Sequence, residues 1–429
     1  MHTLLKQLGK GTLRTFGNIP YVEAAAKYIV NQRSAPTYEI PEIDPIRTEM
    51  DACEALRLNL FIPSINVSDS FGGIFTAVRL FEELGEILGS RSDVRMRIIT
   101  HRRTTDHSVV DLARWKLTDQ KDEARYQILE LVNAQAQTIS LSRHDIFVAT
   151  WWSTAFRAAR LRERQKKYFG RPFAPLIYIV QDFEPAFYPW SSHYAYAETT
   201  YLDAASTIAI FNSSLLRRFF EKQGYLFLRS YHFEPRISNS LKVHLRPNAK
   251  KEKRILVYGR PSIARNCFEV ICAGLREWVR TFAGAYQWSI ISAGERHPNV
   301  QLGNGIEMQS VGKLSLQAYG ALLNDCAVGV SLMLSPHPSY PPLEMAHSGI
   351  LTITNSYADK DLSTWHDNIY SLSRLVPEEL AKAIDRCVKS FEEDNAVGWK
   401  GHSKVPFYLR GDQADEFLYA VARDITVQD

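Results

Sequence analysis

The sequence predicts an α/β protein built from two doubly wound parallel sheets in tandem, and three observations carry that prediction. From Leu56 onward short apolar runs alternate with stretches of helical period. The runs are apolar on both faces, as in Leu176-Ile177-Tyr178-Ile179-Val180, which is what a parallel sheet covered by helices on each side requires. A polar, basic, proline-containing break at Arg246-Pro247-Asn248-Ala249-Lys250-Lys251-Glu252-Lys253-Arg254 is then followed by a restart of the same alternation. The 429 residues leave room for two or three domains at roughly 150 residues each. With 45% hydrophobic and 23% charged residues, collagen-like, coiled-coil and wholly disordered readings are excluded.

The elements follow in order. Pro20 opens a short amphipathic helix in which Val22, Ala25, Ala26, Ile29 and Val30 recur at helical spacing, and Pro36, Pro41 and Pro45 close the segment. Residues 1–55 therefore form an N-terminal helical extension. It reads either as a helix packed on the main body or, with five bases against one acid in its first 33 residues, as a membrane-surface element. Within 56–248, Leu58–Pro63, Val94–Thr100, Ile146–Thr150, Leu176–Val180 and Thr207–Phe211 read as strands and Ile74–Leu88 as a helix. Within 249–405, strands at Ile255–Tyr258, Trp288–Ser292, Ala327–Met333 and Ile350–Thr354 alternate with helices at Cys267–Phe282, Leu316–Asn324 and Pro342–Ser348. Residues 406–429 carry a last helix, Ala414–Asp424. Ligands of such sheets bind beyond the carboxyl ends of the strands, so two facing domains share a cleft.

Charge and cysteine usage narrow the partners. A net charge of +4 is too near neutrality to imply nucleic acid, and none is expected. Five scattered cysteines without a CxxC suggest neither disulfides nor structural zinc and fit a reducing compartment. No apolar run approaches the ~20 residues that span a bilayer, and Gly9, Lys10 and Gly11 interrupt any signal-peptide core, so the chain reads as cytoplasmic. The basic run Arg157-Ala158-Ala159-Arg160-Leu161-Arg162-Glu163-Arg164-Gln165-Lys166-Lys167 is either a solvated helix face or a peripheral contact with anionic lipid at the inner face of the plasma membrane. Monomer and homodimer both stay open.

The chemistry sits at strand ends. There is no GxGxxG, no P-loop and no G-x-S-x-G. Asp359-Lys360-Asp361 is formally a DxD, but two carboxylates in a loop are commonplace and no metal is expected. Gly72 and Gly73, after Ser68-Asp69-Ser70-Phe71, let a ligand approach backbone N–H groups at a helix start, or simply make a turn. Arg260, after the strand Ile255–Tyr258, and Arg265, at a helix start, suit a diphosphate because guanidiniums fork onto phosphate oxygens; the alternative is a pair of solvated arginines. In Ser335-Pro336-His337-Pro338-Ser339-Tyr340-Pro341-Pro342-Leu343-Glu344, Ser339 or Tyr340 caps a helix opened by prolines, and Glu344 lies where a carboxylate can accept from ribose hydroxyls.

The segment Ser335–Gly349 with Tyr258-Gly259-Arg260-Pro261 resembles the nucleotide-binding half of the GT-B retaining glycosyltransferases of family 4. More narrowly, Tyr178-Ile179-Val180-Gln181-Asp182-Phe183-Glu184-Pro185 together with Tyr340-Pro341-Pro342-Leu343-Glu344-Met345-Ala346-His347 resembles the WsaF-type bacterial rhamnosyltransferases. The resemblance implies two Rossmann-like domains facing across a cleft, an acceptor domain at 56–248, a nucleotide-sugar domain at 249–405, and a terminal helix returning to the first domain. It implies that Arg260 and Arg265 hold the diphosphate, that Lys313 lies beside the base, that Tyr340 contacts the nucleotide and that Glu344 takes the ribose.

Asp182, at the end of a first-domain strand, is the leading candidate for acceptor positioning or proton acceptance, with Glu184 second; either is otherwise an ion-paired structural carboxylate. Two departures are expected to make the donor pocket atypical: Gln181 stands where many family members carry a histidine, and Pro336 and His337 stand where a first glutamate is usual. The expected reaction is transfer of a sugar, L-rhamnose from dTDP-L-rhamnose, to a hydroxyl of a growing, lipid-linked surface glycan, with retention and without metal or other cofactor. A UDP- or GDP-sugar donor and a noncatalytic binding module are the alternatives.

Overall fold

The computed structural model describes residues 39–67, 72–90, 92–105, 107–118, 124–132, 137–170, 174–202, 204–405, 408 and 416–426. The chain divides into a unit up to Asp44 and a unit from Pro45 onward. Of the first, a turn of 3-10 helix at Pro41–Ile43 is described; the helix expected from Pro20 lies outside the described residues.

The second unit begins with β1 (Arg47–Met50), β2 (Leu56–Ile62), helix α1 (Gly72–Gly89), β3 (Val94–Thr100), β4 (Lys116–Leu117), β5 (Tyr126–Glu130), β6 (Thr138–Leu141) and β7 (Asp145–Ala149). Helix α2 (Trp152–Phe169), β8 (Leu176–Val180), α3 (Ser192–Leu202), β9 (Thr207–Phe211), α4 (Ser214–Lys222) and β10 (Arg229–His232) complete the first half. Eight of these strands form one sheet in the order β10-β9-β8-β7-β2-β3-β5-β4, every neighbour parallel, while β1 pairs with β6 in a small separate ribbon. Alternate residues of β2 feed opposite layers. Leu58, Leu60 and Ile62 pack against α1, and Phe61 packs with Phe147 and Tyr178 on the α2 side.

After a short helix α5 (Asn239–Lys242) come β11 (Glu252–Gly259), α6 (Phe268–Thr281), β12 (Ser289–Gly294), β13 (Val300–Gly303), β14 (Ile306–Gly312), α7 (Leu316–Asp325) and β15 (Cys326–Val330). Helix α8 (Pro341–His347), β16 (Leu351–Asn355), β17 (Ile369–Leu372) and α9 (Pro377–Glu393) follow. The second sheet runs β13-β14-β12-β11-β15-β16-β17, with only the edge strand β13 antiparallel. The last helix, α10 (Phe417–Thr426), buries Leu418, Val421, Ala422 and Ile425 in the same apolar layer as α1, and the Tyr231 hydroxyl donates to Asp424 at 2.7 Å. Helix α10 therefore lies on the first sheet.

In three stretches singled out in the sequence, side chains find partners across the fold. The basic run in α2 is not a uniformly outward face: Arg157 is buried beside His101 at 2.7 Å, and Arg162 donates to the Ala174 carbonyl and the Ser206 hydroxyl, each at 3.1 Å. Arg160, Arg164, Lys166 and Lys167 of the same run are exposed. The polar break near Lys250 is likewise pinned. Lys251 is buried, donates to the carbonyls of Leu323 and Ser348 at 2.6 Å each, and lies 4.8 Å from the Trp399 ring centre. Its ammonium ties the ends of α7 and α8 to β11. The carboxylates of Asp359 and Asp361 serve different partners: Asp359 pairs with Lys222 at 2.7 Å and Asp361 caps the turn at Ser363. They do not converge as a metal-binding pair.

The first sheet also buries a charge cluster. Arg57 makes a bidentate pair with Asp145 at 2.6 and 2.9 Å and meets Asp51 at 2.7 Å, while Asn59 and the Ser142 N–H also bond to Asp145. Removing one member leaves an uncompensated buried charge. We expect Asp145→Ala to lose about 3 kcal/mol of stability in urea unfolding, and an unchanged midpoint would refute that role.

A candidate active site at the junction of the two sheets

The carboxyl end of β8 places Gln181 and Asp182 at the top of the first sheet, and the carboxyl ends of β11 and β15 place Arg260, Arg265 and Ser335 at the top of the second. These ends meet. Asp182 is 6% exposed; its Oδ1 accepts from the Ser335 hydroxyl and, at 2.9 Å, from the Phe183 N–H, and its Oδ2 lies 3.5 Å from Arg265 Nε. Burial raises the Asp182 pKa, opposed by the Arg265 guanidinium and the Ser335 hydroxyl. Arg265 also stacks over the Phe187 ring at 4.0 Å, and Phe187 stacks on Trp151 with centroids 5.4 Å apart. Its carbonyl accepts the Leu334 N–H at 2.8 Å, tying the arginine's backbone to the loop that carries Ser335.

Arg260 lies beside Arg265 and the Tyr258 hydroxyl; both arginines act on Tyr258, and Arg260 depresses the Arg265 pKa after burial has done so. Two guanidiniums thus lie in one place, with the Asp182 carboxylate against one of them. The loop from Ser331 to Tyr340 is held in one shape. Asn266 donates to the Leu332 carbonyl at 3.1 Å, Asn355 accepts the Met333 N–H at 2.7 Å, and the buried Lys360 donates to the Met333 carbonyl at 2.6 Å. Ser339 sits at φ 69°, a left-handed conformation that a non-glycine residue adopts only where its surroundings impose it. Its N–H bonds to His337 Nδ1 at 3.0 Å, and the His337 N–H bonds to Ser335 Oγ at 2.9 Å.

Glu344, in the first turn of α8, accepts from the Tyr319 hydroxyl at 3.0 Å, with Tyr340 and Tyr408 near enough to feel its charge. Burial pushes the Glu344 carboxyl up to about 7, with the Tyr319 bond pulling the other way. Tyr340 faces Thr76, Arg79 and Arg236 across the junction. Asp182, Arg260, Arg265, Ser339, Tyr340 and Glu344 thus border the junction of the two halves. Lys313 lies on the exposed turn between β14 and α7.

Two candidates have other tasks. Glu184 is 1% exposed inside the first half, where its Oε2 accepts from the Trp152 N–H at the start of α2 and from the Tyr178 hydroxyl at 3.1 Å. Burial raises its pKa well above the ordinary value, and its carboxyl serves a helix start rather than the junction. Gly73 lies under Gln181, whose Nε2 donates to the Gly73 carbonyl at 3.0 Å; a Cβ there would fall 1.7 Å from Gln181 Oε1. Its missing side chain makes room for Gln181, and residues 68–71 of the same turn lie outside the described residues. Sequence reasoning had not singled out Lys360, Phe187, Ser335 or Tyr319 for roles at this junction.

Two parallel sheets whose strand ends meet over a shared, arginine-lined junction define the GT-B class. OtsA in its apo form superposes with a TM-score of 0.55 at 10% identity, over 86% of this chain and 99% of that one. WaaG, described as a glycosyltransferase involved in lipopolysaccharide biosynthesis, gives a TM-score of 0.49 at 13% identity over 86% of this chain and 100% of that one. The chain belongs to the WsaF family: the models of the WsaF N-terminal and C-terminal domains match residues 57–214 and 253–385. The O-antigen biosynthesis protein RfbC of Myxococcus xanthus is 32% identical over 223 residues, 52% of this chain and 16% of that protein. The chain thus matches about a sixth of that relative's length.

The shifted Glu344 pKa makes a prediction about stability. A carboxyl whose folded pKa is near 7 against 4.5 unfolded prefers the protonated form in the folded state. Its contribution is present below about pH 4.5 and is lost as pH rises through 7. Glu344→Gln should therefore gain about 1 kcal/mol on the parent between pH 5 and 8 in unfolding titrations. Parallel pH profiles for the two proteins would contradict this.

Proposed function

We propose that this chain is a glycosyltransferase that moves a sugar from a nucleoside diphosphate to a hydroxyl of a surface glycan. The observation that supports it most is the meeting of Asp182 with Arg265 at the strand ends, with Arg260 beside Arg265 and both Arg260 and Glu344 within reach of Tyr258. The donor would be L-rhamnose carried by dTDP, a reading that stands on the resemblance to WsaF-type enzymes; the acceptor class follows from the naming of RfbC as an O-antigen biosynthesis protein. The place of action would be the cytoplasm, with the growing glycan carried on lipid. Among the described residues no helix is long and apolar enough to cross a membrane.

The chemistry follows from placement. Glu344 accepts hydrogen bonds from the ribose hydroxyls, with Tyr340 and Lys313 toward the nucleoside. Arg260 and Arg265 take the phosphate oxygens and neutralise the charge that grows on the diphosphate as its bond to the anomeric carbon breaks. These side chains are held before the ligand arrives, so little reorganisation opposes them. Asp182 accepts a hydrogen bond from the attacking hydroxyl and aims its oxygen at the anomeric carbon. The new carbon–oxygen bond forms on the face the diphosphate leaves, the departing phosphate oxygen takes the proton, and configuration is retained. The electrostatic work falls to the two arginines, and no cofactor is invoked.

Transfer assays with dTDP-rhamnose, UDP-sugars and GDP-sugars, read together with calorimetric nucleotide binding, test this reading. Asp182→Asn should lower transfer at least about a hundredfold while diphosphate affinity stays within a few-fold. Arg260→Ala should weaken nucleoside diphosphate binding by about thirtyfold. Binding of a nucleotide sugar without turnover, indifferent to Asp182→Asn, would leave a noncatalytic binding module in place of an enzyme.

A further inference from the structure

Two buried donors at the junction, Arg265 Nε and His337 Nε2, make no hydrogen bond among the described residues, and only Arg265 Nε has a carboxylate nearby, Asp182 at 3.5 Å. His337 is 5% exposed, and its Nε2 has no hydrogen-bond partner among the described residues. The other ring nitrogen, Nδ1, accepts the Ser339 N–H at 3.0 Å and so carries no proton. Burial, with Lys360 and Arg265 beside it, pushes the His337 pKa down to about 3. The ring is therefore neutral at ordinary pH, and its single proton sits on Nε2. A buried N–H without an acceptor carries a desolvation penalty that a ligand atom would relieve.

The surroundings say what kind of atom that is. The charged groups that act on His337 are both cations, the Lys360 ammonium and the Arg265 guanidinium. Lys360 is 1% exposed. Asp182 draws on both of them and is itself engaged by Ser335 and Phe183. A sugar hydroxyl would satisfy the N–H and leave the excess positive charge as it is; an anionic oxygen answers both. Position selects which anion. Through its own N–H and Ser335, His337 is linked to Asp182 at the reacting end, whereas Glu344 and Tyr319 mark the nucleoside end. The phosphate nearest the reacting end is the one that bears the sugar.

We propose that the His337 Nε2–H donates to a non-bridging oxygen of the sugar-bearing phosphate, which makes His337 a donor-binding residue alongside Arg260 and Arg265. It has this role only in a nucleotide-sugar site, so it stands on the reading above and adds a residue to it.

Two substitutions separate the two ring nitrogens. In His337→Asn the amide oxygen can still accept the Ser339 N–H, but the donor at the Nε2 position is gone. In His337→Gln an amide N–H returns near that position. Calorimetry with dTDP, UDP, GDP and dTMP reads the result. For the diphosphate the parent binds best, His337→Asn should lose about tenfold in affinity and His337→Gln should recover most of it. The monophosphate should change by less than about twofold, because it lacks the second phosphate.

Equal weakening of mono- and diphosphate would mark a structural role and overturn the assignment. So would a loss seen with a nucleotide sugar and not with the diphosphate, or no loss at all. In the parent protein with 15N-labelled histidine, saturating diphosphate should shift the His337 Nε2 proton and dTMP should not. That measurement decides the matter if His337→Asn does not fold, and an unmoved Nε2 signal overturns the proposal. If Arg260→Ala weakens the diphosphate and His337→Asn does not, only the His337 role falls. If neither does, the nucleotide-sugar reading falls with it.

Discussion

A carboxylate taken out of water must find its partners in the protein, and the Asp182 carboxylate finds them in the other half of the molecule. Asp182 ends a strand that is buried along its whole length, and it is itself almost fully covered. Without Arg265 and Ser335 it would be an isolated buried charge, a state that proteins avoid by neutralising the group or moving it. The contact therefore registers one sheet against the other: the strand end of β8 must lie where the ends of β11 and β15 can reach it. The ion pair of Lys222 with Asp359 adds a second tie between the halves. Because it is solvent-exposed, it contributes less.

The same contact determines how the arginine cluster is built. Arg265 is fixed from three directions, by Asp182 at its guanidinium, by the Phe187 ring beneath it and by the Leu334 N–H at its carbonyl. A guanidinium that has already surrendered its rotameric freedom loses little more when a phosphate arrives. The loop from Ser331 to Tyr340 is fixed in the same manner, by Asn266, Asn355 and Lys360 acting on its backbone. The left-handed Ser339 is the local cost of that shape.

How much of this was legible in the sequence depends on the range of the interactions. Strands apolar on both faces announced the parallel sheets, and the restart after Arg254 announced the second one. The arginines and Glu344 could be placed at the junction because their positions follow from short spacing to a strand end or a helix start. What stayed hidden is long-range. Glu184 looks like Asp182 in sequence, two residues away, yet the 3-10 turn between β8 and α3 rotates it inward to serve the start of α2, so the two carboxylates have different fates. Lys360 read as the middle of an acidic pair; its burial arises from Met333, which lies on a different element. Gly73 read either as room for a ligand or as a plain turn, and the room is taken by Gln181 from across the sheet. The strand β14, next to the edge strand β13, carried an alternating signal in Ile306-Glu307-Met308 that is easily lost among longer apolar runs.

The balance of charge at the junction supports the proposed transfer of a sugar from a diphosphate. Arg260, Arg265 and Lys360 converge on it, and Asp182 and Glu344 oppose them from its two ends. Burial lowers the Lys360 pKa to about 7 while Asp182 works to keep it charged, so the ammonium's ionisation is poised by its neighbours. An anion entering between these groups would stabilise the charged form of Lys360 as well as the guanidiniums. The positive charge of the site would then be largest when a diphosphate is present, and larger still as that diphosphate gains charge in departing. Differential stabilisation of this kind, stronger for the leaving group than for the bound donor, is what accelerates a reaction whose difficult step is the loss of an anion.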